Sequence, residues 1–380
     1  MPRYFATVAR GLEALAAEEL KSLGATEVKP QFTGVEFWGD GCADADRRLL
    51  YRVNLWARTI FRVLVPILEF PCSHAKQLYR EVQQVDWQDY LSPDQTLAVD
   101  CTGGNTELNH THFTALQVKN AIVDQQRQQM GRRSSVDPLN PQVRLNLHIH
   151  QRRGILSLDS SGSSLHRRGY RPGVGVAPLK ETLAAALLAH IDWQGDRPLF
   201  DPCCGSGTIP LEAGLKALNI APGLFRAQFG FEGWRDFDPQ LWSELRAEAE
   251  AARKSQLPAA IVGSDRDLQT LQQARDNAAH CGLDQLVDFK LQDLVEVRPP
   301  TEEPGVLICN PPYGHRLGEA EELKGFYREL GDLFKQRFTG WTAYVLTTKP
   351  LGKEVGLKAS QRFPVFNGTL ACTLLRYDLY

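Results

Sequence analysis

Residues 198–218 read PLFDPCCGSGTIPLEAGLKAL, and this stretch decides the fold of the second half of the chain. Pro198–Asp201 is a short apolar run that ends in an acid. Gly205 and Gly207 interrupt it, and Thr208–Leu218 then carries apolar residues at helical spacing. A strand, a glycine turn and a helix in succession place unpaired backbone N–H groups beside a turn that a ligand can approach closely. On either side the alternation continues. Lys180–Ile191 reads as helix, and Ala259–Gly263, Leu286–Leu291, Gly305–Cys309 and Trp341–Thr347 as strands, with helices over Asp267–Cys281 and Glu321–Phe338. Strand and helix alternating at this spacing predict an α/β domain with a doubly wound, mostly parallel sheet.

The acids at the strand ends indicate the ligand. Asp201 stands directly before the glycine turn, where it would repel a pyrophosphate but suits an ammonium group. That sign favours S-adenosylmethionine over a dinucleotide, with Asp201, Cys203, Gly205, Ser206, Gly207 and Thr208 as candidate contacts to the methionine part. Asp265 ends the next strand and can take the ribose hydroxyls. Asp267 reads as a helix cap. Asp293 follows the strand after that and can accept from the adenine amino group. Residues 219–257 form an insertion containing an amphipathic helix, Asp238–Arg253. The chain closes with strand Gln361–Phe366, Asn367-Gly368 and strand Thr369–Tyr377. Asn-Gly predicts a type I′ hairpin, and an antiparallel hairpin ending a parallel sheet is the arrangement of class I methyltransferases.

Asn310-Pro311-Pro312-Tyr313 follows the strand Val306–Cys309. An exocyclic base amine is a poor nucleophile because its lone pair is delocalised into the ring. Two acceptors that bind its hydrogens draw the nitrogen towards a tetrahedral form. The Asn310 side-chain carbonyl and the Pro311 backbone carbonyl can supply them. Consecutive prolines fix φ and stiffen the loop. Tyr313 offers an aromatic face for an extruded base. The candidate catalytic residues are therefore Asn310, Pro311, Pro312 and Tyr313.

The first half reads as α+β: short strands meeting at hairpins, which predicts small mixed sheets rather than one parallel sheet. Helices are expected over Asp44–Leu55, from a cap at Ser73 to about Gln84, and over Asn109–Met130. Net charge is only −2, yet residues 130–172 hold eight arginines, no lysine and two acids. Arg132, Arg133, Arg152, Arg153, Arg167, Arg168 and Arg171 are the candidate phosphate contacts. Residues 160–176, rich in Ser, Gly and Arg, read as a linker or functional loop and mark the domain boundary. The eight cysteines include no CxxC pair, and His148 and His150 lack a third ligand, so no metal site is expected. Walker and Gly-x-Ser-x-Gly motifs are absent. No apolar run is long enough to span a membrane. With no signal-peptide pattern, a cytoplasmic location is expected.

Gly11-Leu12-Glu13, Leu165-His166-Arg167-Arg168-Gly169-Tyr170-Arg171, Ala177-Pro178-Leu179-Lys180-Glu181-Thr182, DPCCGSGT and NPPYGHRLG together resemble the THUMP-domain RNA methyltransferases. The nearest branch is the bacterial 23S rRNA guanine-N2 methyltransferase family. The resemblance implies a ferredoxin-like region (1–43), a THUMP RNA-binding domain (44–160), the Arg/Gly-rich linker (161–176) and a class I, Rossmann-like methyltransferase domain (177–380). It also implies that Pro178–Thr182 packs over the cofactor. Longer fusions in that family carry a second methyltransferase domain, whose activity is not carried over here. The motifs leave open tRNA as substrate, adenine N6 as target, a DNA methyltransferase, and a non-catalytic RNA-binding assembly factor.

Overall fold

Arg3–Val8 alternates half-exposed and buried side chains, the period of a strand with one covered face, and forms β1. α1 (Glu13–Ser22) follows, then the hairpin β2 (Glu27–Gln31) and β3 (Gly34–Trp38), α2 (Ala43–Trp56) and β4 (Ile60–Pro71). Next come α3 (Ala75–Val82), β5 (Thr96–Gly104), α4 (Thr111–Met130), β6 (Ser135–Val136), β7 (Val143–His150) and β8 (Arg153–Asp159). The computed structural model describes residues 2–171, 178–313 and 320–380.

These eight strands form one sheet, in the order β2-β3-β1-β4-β8-β7-β5-β6, where small separate sheets were expected. The cause is the length of β4. Its first residues pair with β1, with Leu64 opposite Phe5, and its last with β8, with Pro71 opposite Arg153. α2 buries Leu49, Leu50 and Val53 in the same core as Ala6, Val8 and Leu20. We therefore propose that the first two modules divide within β4 rather than after residue 43. The cap expected at Ser73 falls one residue later: the His74 ring accepts from the Gln77 N–H at 3.3 Å.

The second sheet follows the predicted alternation. Its elements are α5 (Glu181–His190), β9 (Leu199–Asp201), α6 (Thr208–Ala217), α7 (Pro239–Ala251), β10 (Ile261–Asp265), α8 (Leu268–His280), β11 (Val287–Leu291), β12 (Val306–Cys309), α9 (Ala320–Arg337), β13 (Thr342–Thr347), β14 (Gln361–Asn367) and β15 (Leu370–Asp378). Strand order is β11-β10-β9-β12-β13-β15-β14, parallel through β13 and antiparallel at β15 and β14. The order reverses between β9 and β12, which opens a crevice at their carboxyl ends. The closing turn is shifted by one residue from expectation. Asn367 pairs with Leu370 as the last residue of β14, and Gly368 alone has positive φ, +63°. Glycine at the first central position is the type II′ pattern rather than I′.

The insertion and the Arg-rich segment join the two halves. Phe231 stacks on Tyr51 of α2 at 4.2 Å, and Arg48 of α2 pairs with Glu244 and Glu248 of α7. Residues 161–171 form a strap with buried anchors, where a linker was expected; residues 172–177 lie outside the described residues. Arg226, from the insertion, donates to the carbonyls of Ser161, Ser163, Ser164 and Arg167. Arg168 is buried and bidentate on Glu212 of α6, at 3.3 and 3.2 Å. It also donates to the carbonyls of Ala57, Arg58 and Leu165, and the Tyr170 hydroxyl donates to Glu212 at 3.2 Å.

Removing one partner of a buried ion pair strands the other charge and costs about 3–5 kcal/mol. Arg168→Met and Glu212→Leu should each lose stability on that scale in chemical denaturation. The double variant should lose clearly less than the sum of the two. Strict additivity would show that the pair is not coupled.

Candidate active site

The turn after β9 is built so that only glycine fits. Gly205 has φ +53° and Gly207 φ +79°. A Cβ on Gly207 would stand 2.9 Å from the Phe289 ring and 3.0 Å from Ala274 Cβ. The loop is held on three sides: the Cys204 N–H donates to the Ser264 carbonyl, the Gly207 N–H to the Cys204 carbonyl, and the Asn277 side chain to the Ser206 carbonyl, at 2.9, 2.9 and 3.0 Å. The backbone is therefore fixed before any ligand arrives.

Asp201 is 1% exposed, and its carboxylate accepts the Cys203 N–H at 3.1 Å. Burial pushes this carboxyl well above the usual carboxylate range, and the Asp265 charge pushes it further. A buried acid with no cation beside it among the described residues suits a ligand that brings its own positive group. Asp265 joins two strand ends: one oxygen accepts the Gly205 N–H at 2.9 Å and the other the Asp267 N–H at 3.0 Å. Each carboxylate oxygen keeps acceptor capacity for a hydroxyl. Asp267 caps α8, accepting the Thr270 N–H at 2.7 Å, as the sequence indicated. Asp293 is exposed and accepts the Val295 N–H at 3.2 Å, capping a short turn.

A cavity of about 570 Å³ lies against this loop, lined by Pro178, Leu179, Asp201, Cys203, Gly205, Ser206, Thr208 and Asn310, among others. Asp265 and Asp293 are not in its lining. Gln269, Thr270 and Gln273 are, and sequence reasoning missed them. Their signal was the Asp267 cap, which fixes the phase of α8 so that residues at i and i+3 share a face. The Thr208 hydroxyl, a predicted ligand contact, accepts from Arg171.

Asn310 lines this cavity, and its side-chain oxygen is buried with no hydrogen-bond partner among the described residues. A buried carbonyl left unpaired costs about 1–3 kcal/mol, which an incoming N–H donor would recover. Pro311 is buried and Pro312 exposed. Tyr313 is half-buried, and its hydroxyl accepts from the Asn367 side chain at 2.9 Å. Burial raises that phenol to about 12. The ring is thus fixed by the β14–β15 hairpin. Gly314–Gly318 of the NPPYGHRLG motif lies outside the described residues.

The predicted arginines divide into two groups. Arg168 faces inward, and Arg171 pairs with Glu181 at 3.2 Å with little exposure, so neither is free for a phosphate. Strap anchoring claims both. Arg132 and Arg153 are exposed but pair with Asp94 and Glu69. Arg133, Arg152 and Arg167 are exposed, with no carboxylate partner among the described residues. No group of three potential metal ligands occurs among the described residues, and no described helix is long and apolar enough to cross a membrane.

The model of an RMKL-like methyltransferase domain family (UPF0020) matches residues 168–376, a THUMP domain model residues 72–159, and an RlmL ferredoxin-like domain model residues 3–64. A provisionally named RNA methyltransferase of Synechocystis sp. is 56% identical over 99% of this chain and 97% of its own length. A protein of Syntrophotalea carbinolica named ribosomal RNA large subunit methyltransferase K/L is 43% identical over 99% of this chain. This chain spans about half the length of that relative (53%). Among solved structures, a provisionally named methyltransferase complexed with SAH superposes with a TM-score of 0.86 at 30% identity, covering 100% of this chain and 98% of that one.

Asp201 titrates higher in the folded protein than in the unfolded chain. Stability therefore falls as pH rises from the unfolded carboxyl value, about 3.9, through the folded one, and the deficit persists at neutral pH. A cationic ligand offsets it. Asp201→Asn should leave the ligand-free melting temperature at pH 8 unchanged or higher, while calorimetry finds S-adenosylmethionine bound roughly tenfold or more weakly, the loss of a charge-assisted contact. Unaltered affinity would remove Asp201 from the site.

Proposed function

This chain belongs to the RMKL-like methyltransferase family, and we propose that it transfers a methyl group to the exocyclic N2 of a guanine in 23S rRNA. It is an S-adenosylmethionine-dependent RNA methyltransferase; the base and the RNA are our reading. The observation that carries the reading is the buried oxygen of Asn310 beside the cavity, unpartnered among the described residues. There it is an acceptor without a described donor, where the target amine would enter. The THUMP match over residues 72–159 supports RNA over DNA. The K/L relatives' name supports large-subunit rRNA. Guanine rests on the family resemblance of the motifs. A cytoplasmic location would follow from that substrate.

When bound, S-adenosylmethionine supplies an electrophilic methyl group. Asp201 would hold its ammonium, and the backbone of Gly205–Gly207 its carboxylate end. Asp265 would take the ribose hydroxyls and Asp293 the adenine amine. Asn310 Oδ1 and the Pro311 carbonyl would accept the two hydrogens of the target amine and turn its lone pair out of conjugation. No strong base is required, because the amine proton becomes acidic only as the new bond forms. Tyr313 would support the extruded base. Exposed Arg133, Arg152 and Arg167 would meet phosphates.

Tritiated methyl transfer to total RNA, followed by fractionation and nucleoside analysis, tests the reading. N2-methylguanosine in the 23S fraction is expected. Label confined to tRNA would overturn the rRNA assignment, and label only in N6-methyladenosine the base assignment. Asn310→Ala should lower kcat by about a hundredfold or more, the scale of removing one group that acts on the reacting centre, with cofactor affinity within a few-fold of the parent. A matching collapse of cofactor binding would contradict the role given to Asn310.

A further inference from the structure

Gly11-Leu12-Glu13 stands far from the cofactor loop in sequence, yet it organises a surface beside the catalytic hairpin. The Glu13 carboxylate accepts two backbone N–H groups, from Gly11 at 2.8 Å and from Thr33 at 3.1 Å. It thereby ties the loop after β1 to the tip of the β2–β3 hairpin. The tip is sharply turned, with Thr33 at φ +57°. Beside it Phe32 is 76% exposed, its ring presented to solvent on a turn that Glu13 holds.

Arg10 fills the space between this tip and the other half of the molecule. Its guanidinium carbon lies 5.7 Å from the Phe32 ring centre and 4.6 Å from that of Phe366. Phe366 precedes Asn367, whose side chain holds the Tyr313 hydroxyl. The arginine is exposed and has no carboxylate partner among the described residues. A run of three flat groups, Phe32, Arg10 and Phe366, therefore leads from the surface to the β14–β15 hairpin that also holds Tyr313. Phe32 and Thr33 also border a cavity of about 340 Å³ on the open sheet face, which reaches Asn146 and His148 of β7.

We propose that Phe32 and Arg10 form a stacking platform for an unpaired nucleobase of the RNA, one that flanks the base entering the active site. The inference rests on the RNA-methyltransferase reading above. An exposed aromatic face and a flat, uncompensated cation match the two faces of a nucleotide. The base stacks on the rings, and its phosphate neutralises the charge. Extruding a target base leaves its neighbours without a stacking partner, and the platform supplies one on the surface that meets the hairpin holding Tyr313. Glu13 holds the parts in place beforehand, so little order is lost on binding. Phe32 and Arg10 are positioning residues: they touch neither the cofactor nor the reacting amine.

The test uses the full chain with Phe32→Ala, Phe32→Trp, Arg10→Ala and Arg10→Lys. Fluorescence anisotropy with a mixed-sequence, single-stranded oligoribonucleotide should show binding weakened about fivefold or more in Phe32→Ala and Arg10→Ala, the scale of one lost base–aromatic stack. Arg10→Lys should behave as Arg10→Ala, since lysine keeps the charge but not the plane. Methylation assays should show KM for RNA rising with kcat within about twofold, and melting temperatures should hold. Phe32→Trp should bind as the parent does, with indole fluorescence quenched when the oligoribonucleotide is added. Unchanged affinity in Phe32→Ala, or no quenching in Phe32→Trp, overturns the platform. So does a lowered melting temperature in Arg10→Ala beside a normal Phe32→Ala, which marks Arg10 as a strut between the halves. If the parent methylates no RNA, the functional reading fails, whereas the quenching and anisotropy measurements still decide the platform.

Discussion

The ion pair of Arg168 and Glu212 is the constraint on which the rest of the molecule depends. Both side chains are buried, and each is acceptable there only because the other is present. Glu212 lies on α6, the helix that the glycine turn opens. Arg168 lies on the strap that leaves the first sheet, and it binds the carbonyls at the end of α2. The pair therefore fixes the half built on the first sheet against the helix whose N-terminus carries the glycine turn. Arg226 secures the same strap through four carbonyls, and the stacked Tyr51 and Phe231 close the seam. A charge placed inside the molecule thus does what a flexible linker could not: it gives the substrate module one orientation.

The site is assembled from unfavourable elements held by that frame. Among the described residues, Asp201 is kept from water without a counter-ion and Asn310 without a donor. Both deficits lie against one cavity, and both would be relieved by the groups that a methyl transfer to an amine brings together. Preorganised polar groups of this kind act strongly because no solvent has to be rearranged when the reaction occurs. Tyr313 shows how far the frame extends. Its hydroxyl is held by Asn367 of the closing hairpin, whose neighbour Phe366 meets Arg10 from the first module.

The catalytic domain was legible in the sequence because its elements are local. A glycine turn, an acid at each strand end and the final hairpin are read within a few residues, and the parallel sheet follows from their spacing. The position of Asn310 at the end of a strand was legible for the same reason. What could not be read was long-range. The fusion of the first two modules into one sheet depends on β4 being shared by two partners, and a strand's length does not name its neighbours. Arg167 and Arg168 are adjacent and identical in type, yet one faces solvent and the other is buried; only Glu212, a lone acid in an apolar helix, hinted at the difference. The hairpin turn moved by one residue because the register puts Asn367 in the strand, where its amide binds Tyr313. Thr270 and Gln273 were overlooked because the Asp267 cap sets which residues of α8 share a face but not which face borders a cavity.

The central claim is the proposal that the oxygen of Asn310, unpartnered among the described residues, receives an exocyclic amine. A crystal structure of the chain with S-adenosylhomocysteine and a guanosine-containing oligoribonucleotide tests it directly. The account predicts an extruded guanine whose N2 lies about 3 Å from both Asn310 Oδ1 and the Pro311 carbonyl. A ring nitrogen, a ribose hydroxyl or a water molecule in that position, with the amine pointing elsewhere, would contradict it.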